Sequence, residues 1–174
     1  MKLRWLAVMM FLATGVVAGA NLLSNAGFED DLNANNWSTT WGSFVRDTWN
    51  NPPEGMYAAY LRGSWSGSDN GGIIQSAPAI PGTKYQLSAL FYFDNNWTAS
   101  TRLMKIEFFD DANQLLASES SSLDKLKEGK WVKESVSAKA PEGTTRLQVV
   151  FEASGIGADG ALGIDSVELA PVTP

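Results

Sequence analysis

Three tryptophans stand in stretches too polar and too glycine-rich to be strand interiors: Trp49 in TWNNPPEG, Trp65 in RGSWSGSDNGG and Trp97 in DNNWTAS. An indole is costly to leave in water unless it has a use there. These rings are therefore candidate stacking platforms; the competing reading is that they fold back as lids over the open ends of the domain. Acid–base machinery of the usual kind is missing beside them, because the sequence contains no histidine and no cysteine. That removes the commonest general base, the usual activator of a nucleophile, the thiolate, and the commonest transition-metal ligands. That deletes most hydrolase mechanisms and leaves carboxylate chemistry and non-covalent recognition by aromatic faces and hydrogen-bonding side chains.

The first 20 residues have Lys2 and Arg4, an apolar stretch from Trp5 to Val17, and the small triplet Ala18-Gly19-Ala20. This is the layout of a secretory signal peptide. It predicts cleavage near Ala20 and a product secreted to the extracellular space or the periplasm, with no membrane anchor and no cysteine to carry a lipid. The signal holds two of the 13 Lys and Arg and none of the 19 Asp and Glu, so the remainder carries 11 − 19 = −8. An acidic surface argues against nucleic acid and anionic membranes as partners.

Residues 21–170 suit one domain, with 171–174 expected to fray. Short runs rich in Val, Ile, Thr, Tyr, Phe and Trp, punctuated by Gly, Pro, Asn and Asp, are the pattern of an all-β chain. In KYQLSALFYFD, Tyr85, Leu87, Ala89, Phe91 and Phe93 share one face. In RLMKIEFFDD, Met104, Ile106 and Phe108 point inward, leaving Lys105, Glu107 and Phe109 outward. In TRLQVVFEA, Thr145, Leu147, Val149 and Phe151 point inward and Arg146, Gln148, Val150 and Glu152 outward. Further strands are expected at 43–47, 57–61, 72–77, 131–138 and 162–169, and Pro-Gly turns in IPGTKY and APEGTTR lead into strands. Ser122 to Glu128 is the one helix candidate. Alternating strands in this number predict a β-sandwich of two antiparallel sheets.

Four stretches in order carry a resemblance: NLLSNAGFED, GIIQSAPAIPGTKYQLSALFYF, MKIEFFDDANQLL and LGIDSVELA. They resemble the successive signatures of carbohydrate-binding modules of the families 4, 9 and 22 type, which are galactose-binding-domain-like. The resemblance implies a jelly-roll β-sandwich, a non-catalytic role in binding polysaccharide or oligosaccharide, and a structural Ca2+ ion. It also implies that Glu29, after the Phe of the opening motif, and Asp165, in the closing motif, help to hold the ion. Calcium takes roughly six to eight oxygen ligands, so backbone carbonyls would complete the shell. Ser166 stands where a second Asp often follows in such modules.

A sugar chain presents CH faces that stack on aromatic rings and hydroxyls that need amide, carboxylate or guanidinium partners. The expected carbohydrate-binding set is Trp49, Trp65 and Trp97 with Tyr92, Gln75, Arg146, Gln148 and Glu152 along an outward sheet face, although a solvated polar face is the default for an antiparallel sheet. Trp37 and Trp41 are expected to pack under the sheet edge, and Trp131 in the core. Two rival functions remain. One is a small jelly-roll glycosidase using Glu107 and Glu152 as a carboxylate pair; the other is a cell-envelope structural or adhesion domain, which leaves room for a protein partner.

Overall fold

The computed structural model describes residues 19–32, 37–42, 44–64 and 69–172; the expected signal peptide falls almost entirely outside them. Ten strands follow in order: β1 (Ser38–Trp41), β2 (Phe44–Asp47), β3 (Ala58–Arg62), β4 (Asp69–Pro78), β5 (Lys84–Phe93), β6 (Thr101–Phe109), β7 (Leu115–Ser122), β8 (Val132–Lys139), β9 (Arg146–Ile156) and β10 (Ala161–Pro171). They pair antiparallel in two five-stranded sheets, a first with order β1-β4-β9-β6-β7 and a second with order β2-β3-β10-β5-β8. The architecture is a β-sandwich.

Side-chain alternation builds the core between the sheets. Tyr85, Leu87, Ala89, Phe91 and Phe93 of β5 are all buried, as are Met104, Ile106 and Phe108 of β6 and Leu147, Val149 and Phe151 of β9. Phe91 meets Phe151 edge-on at 5.7 Å between ring centroids, which joins the two sheets through an aromatic pair. Thr145, expected to point inward, is exposed, because β9 begins one residue later and the Thr145 N–H is spent on the carbonyl of Phe109. The Pro-Gly turns hold: Gly82 and Gly143 have φ of +77° and +82°, values an L side chain rarely adopts.

Two strands and one non-helix depart from expectation. β1 is only four residues long, and β7 reads LLASESSS with almost no buried position; neither shows a hydrophobic alternation to find. Residues 123–130 form turns rather than a helix, held where Leu123 is buried and the Leu126 N–H reaches the Leu123 carbonyl. A short polar segment cannot nucleate a helix alone. The tail expected to fray is paired as far as it is described: β10 runs through Pro171, and the Val172 N–H donates to the Lys84 carbonyl.

The opening residues lie along β10. Asn21 donates through Nδ2 to the Val167 carbonyl (2.8 Å) and accepts at Oδ1 from the Leu169 N–H (3.0 Å). The Leu22 N–H donates to Leu169 and the Val167 N–H to Ala26. This pairing occupies the place where β10 breaks register with β5, between Asp165 and Glu168. Phe28 then adopts φ of +56°, unusual for an aromatic residue. Its ring is buried 5.1 Å from that of Trp37, while the next residue, Glu29, turns outward.

Candidate functional site

The two outer faces of the sandwich differ. On the outer face of the first sheet, register aligns Ser76, Gln148, Glu107 and Ser118 in one row across β4, β9, β6 and β7. Ile74, Val150, Lys105 and Ser120 form the next row, and Gly72, Glu152, Leu103 and Ser122 the one beyond. Pro78, Arg146 and Phe109 end the array on the other side. Lys105 Nζ lies 2.5 Å from Glu152 Oε1. Burial holds the Glu107 carboxyl above its ordinary range; the Glu152 charge adds to that rise, and Lys105 and Arg146 oppose it. Arg146 lies 4.0 Å over the Phe109 ring and donates to Asn113 Oδ1 (3.1 Å) and Ser76 Oγ (3.4 Å). Gln148 Nε2 also reaches Ser76 Oγ at 3.3 Å. The face combines a stacked guanidinium and ring, an apolar strip at Ile74 and Val150, and amide, hydroxyl and carboxylate groups. Such a surface can pair with hydroxyls and lie flat against CH groups.

One end of the outer face of the second sheet is covered. Val45, Tyr60, Gly163 and Tyr92 stand in one row across β2, β3, β10 and β5, and the loop 48–57 folds onto them. Tyr60 donates its hydroxyl to the Trp49 carbonyl, and Trp131 Nε1 donates to the Asn50 carbonyl at 2.9 Å. Asp165 Oδ2 accepts from the Glu54 N–H (2.9 Å), and the Glu29 carboxylate accepts from the N–H groups of Met56 (3.0 and 3.1 Å) and Tyr57 (2.9 Å). Tyr60, Ala58 and Ala161 thus form a second small core outside the sheet. Burial, with the charges of Asp165, Asp47 and Asp94 nearby, raises the Tyr60 pKa, so its hydroxyl stays a donor.

The structure separates the expected binding set. Arg146, Gln148 and Glu152 lie together on the first sheet. Lys105, Glu107 and Phe109 join them; the alternation of β6 had already turned these three outward, but nothing in one strand says which strand lies beside it. Tyr92 is on the opposite face, stacked at 5.6 Å on Trp131, which is half-buried there rather than in the main core. Trp49 is on that same opposite face and 36% exposed. Gln75 does not point outward: it is buried between the sheets, accepting from the Ser24 N–H (2.8 Å) and donating to the Ser24 carbonyl (3.0 Å). Trp97 is not a loop platform either, being 1% exposed and stacked on Phe93 at 5.6 Å. Polar neighbours made it look exposed, but Trp97 closes one end of the core. Trp37 is buried as expected. Trp65 lies outside the described residues, as does the side chain of Trp41.

A family model described as "Carbohydrate binding domain", CBM_4_9, matches residues 20–158. This chain belongs to that family. No curated protein matches the sequence. Among solved structures, the chain is similar to a family 16 carbohydrate binding module (TM-score 0.66, 17% identity, covering 86% of this chain and 99% of that one). It is also similar to the CBM22-1 xylan-binding domain of Xyn10C from Paenibacillus barcinonensis (TM-score 0.59, 18% identity, 90% and 97% covered). A third similar structure is the enzymatically active domain of bacteriophage CBA120 tailspike protein 4 (TM-score 0.66, 20% identity, 87% of this chain covered); this chain spans only 21% of that one. At these identities the likeness shows the shared fold. The same fold thus makes up nearly the whole of two of these chains and a small part of the third.

The chemistry of the acids around Asp165 fits a hard cation. Asp165 is fully buried, and burial lifts its carboxyl to about 6; N–H groups of Glu54 and Ser166 oppose the rise, and the charges of Glu54 and Glu29 add to it. Among the described residues no lysine or arginine pairs with it. A buried carboxylate near two others and without a positive partner is costly. The fit is one of donor type: no group of three or more acidic side chains converges among the described residues. Glu29 and Asp165 also have a role that needs no ion, since both already cap N–H groups of the loop 48–57.

Proposed function

We propose that this carbohydrate-binding domain holds a stretch of polysaccharide or oligosaccharide non-covalently across the outer face of the first sheet. Arg146 and Phe109 serve as the stacking surface, while Gln148, Glu152 and Glu107 serve as hydroxyl partners. The observation that carries this reading is the contrast between the faces. The loop 48–57 covers one end of the outer face of the second sheet, around Tyr60, whereas the first sheet presents rows of half-buried polar groups across β9 and β6 in a family defined by sugar binding. Half-burial matters, because groups already partly desolvated and held by neighbours lose less entropy when a ligand docks.

The role proposed is non-catalytic. Glu152 stands opposite Leu103 and Glu107 four residues further along β6, so the two backbones are about 13 Å apart along the strand. Lys105 lies between them and is taken by Glu152. The same reading includes export, supported by the charged, apolar and small-residue layout of the first 20 residues, and a structural Ca2+ held by Glu29 and Asp165, which would neutralise the buried carboxylate and fasten the loop 48–57.

Retention of the purified domain on insoluble xylan and β-glucan, with release of reducing ends measured in parallel, tests the function. The expected result is retention without turnover, lost in the Arg146→Ala/Gln148→Ala double variant. Retention unchanged in that variant removes the first sheet as the site, and reducing-end release at a rate proportional to protein removes the non-catalytic role.

A further inference from the structure

We propose a second carbohydrate contact on the opposite face of the sandwich, where the rings of Trp49, Tyr92 and Trp131 form a patch rimmed by Arg62, Asn50 and Asp94. It rests on the carbohydrate reading above but uses none of the residues of the first sheet.

The Trp49 indole packs on Tyr60 and leaves about a third of its residue's surface to solvent. The loop is pinned through backbone carbonyls, that of Trp49 by Tyr60 and that of Asn50 by Trp131. Tryptophans that only fill space in this protein are sealed: Trp37 is 2% exposed and Trp97 1%, against 36% for Trp49. Trp49 leans on Tyr60 at 5.1 Å and has the exposed Arg62 guanidinium 4.7 Å from its ring centroid. Tyr92 and Trp131 form a tilted pair, both half-buried, with Trp131 tied to the carbonyl of Asn50, the residue after Trp49. The space for these rings exists because β10 has a glycine near its start: a Cβ on Gly163 would stand 2.8 Å from Tyr60 Cε1 and 3.0 Å from Trp131 Cη2.

The rim decides the class of ligand. Asp94 Oδ2 is taken by the Ala161 N–H at 2.9 Å, while among the described residues Oδ1 has only a long 3.4 Å contact with Asn50 Nδ2. A carboxylate oxygen, an amide and a guanidinium thus edge an aromatic surface. A wholly apolar partner would leave these groups desolvated and unpaired. A pyranose ring, with a CH face for the aromatic rings and equatorial hydroxyls for the rim, satisfies both. Because the two contacts are on opposite sides of one sandwich, a short oligosaccharide cannot fill both, and one copy of the domain can bridge two chains.

Calorimetric titration with xylohexaose and cellohexaose tests the second contact, using wild type, Trp49→Ala, Arg62→Ala and the Arg146→Ala/Gln148→Ala variant, each checked for an intact melt. Two sugars per wild-type molecule are expected, with one remaining in each variant, or with the second weakened roughly tenfold where a single stacking ring is lost. Should Trp49→Ala unfold, Arg62→Ala decides alone. One site in the wild type, unaffected by Trp49→Ala and Arg62→Ala, overturns the second contact and leaves the first sheet as the site. One site, lost in Trp49→Ala or Arg62→Ala but kept in the double variant, supports the contact described here and overturns the first-sheet reading. No binding of either hexasaccharide overturns both.

Discussion

Replacing Gly163 by alanine probes the element on which the covered face depends. A methyl group there would stand 2.8 Å from Tyr60 Cε1, 3.0 Å from Trp131 Cη2 and 3.3 Å from Tyr60 Cδ1. Carbon atoms in contact settle at roughly 3.5–4.0 Å, so both rings must retreat by about 0.5–1 Å. Neither is free to do so. Tyr60 is fully buried with its hydroxyl on the Trp49 carbonyl, and Trp131 is tied to the Asn50 carbonyl. Overpacking of this kind costs about 1–3 kcal/mol, which in a domain of this size lowers Tm by roughly 2–4 °C for each kcal/mol. Thermal melting followed by far-UV circular dichroism should show that drop, and the tryptophan emission should shift as the loop 48–57 lifts. Binding on the first sheet should be unchanged in the folded variant. A Gly163→Ala protein with the Tm and emission of wild type would show that the rings do not occupy the space above the glycine, and the account of the covered face would fail.

Trp97→Ala should cost about 3–5 kcal/mol as a large-to-small change in a sealed site, visible as a lowered denaturant midpoint; an unaltered midpoint would contradict its burial. With divalent ions chelated, the Asp165 carboxyl, raised to about 6 from its ordinary 3.8, makes ionisation unfavourable to the folded state. Protonation therefore favours folding, and stability should rise as pH falls from 7 toward 5, contrary to the usual behaviour of a surface acid. A pH–melting series in chelator showing a fall over that range would refute the assignment. Added Ca2+ should raise Tm at pH 7 and should do so less in Asp165→Asn and Glu29→Gln, with an ion-independent melt in wild type counting against the cation.

Strand alternation was legible wherever one side of a strand is greasy and the other polar, as in β5, β6 and β9. It failed for β7, whose serine-rich run pairs with β6 at a sheet edge and buries almost nothing. Trp97 shows the limit of local context: Asn and Thr neighbours face water while the ring between them turns into the core to lie on Phe93. Gln75 shows the converse, a polar side chain drawn between the sheets because the Ser24 backbone offers it both a donor and an acceptor.

The sequence by itself determined that the chain is all-β, that it lacks histidine and thiol chemistry, and which residues of each strand share a side, because those properties depend on residue type and a period of two. Only the tertiary structure decided which sides coincide. Arg146, Gln148 and Glu152 meet Glu107 and Lys105 because β9 pairs with β6, while Tyr92 goes to the other face because β5 pairs with β10. Hydrogen bonds between strands distant in sequence make that choice, and no local pattern encodes it.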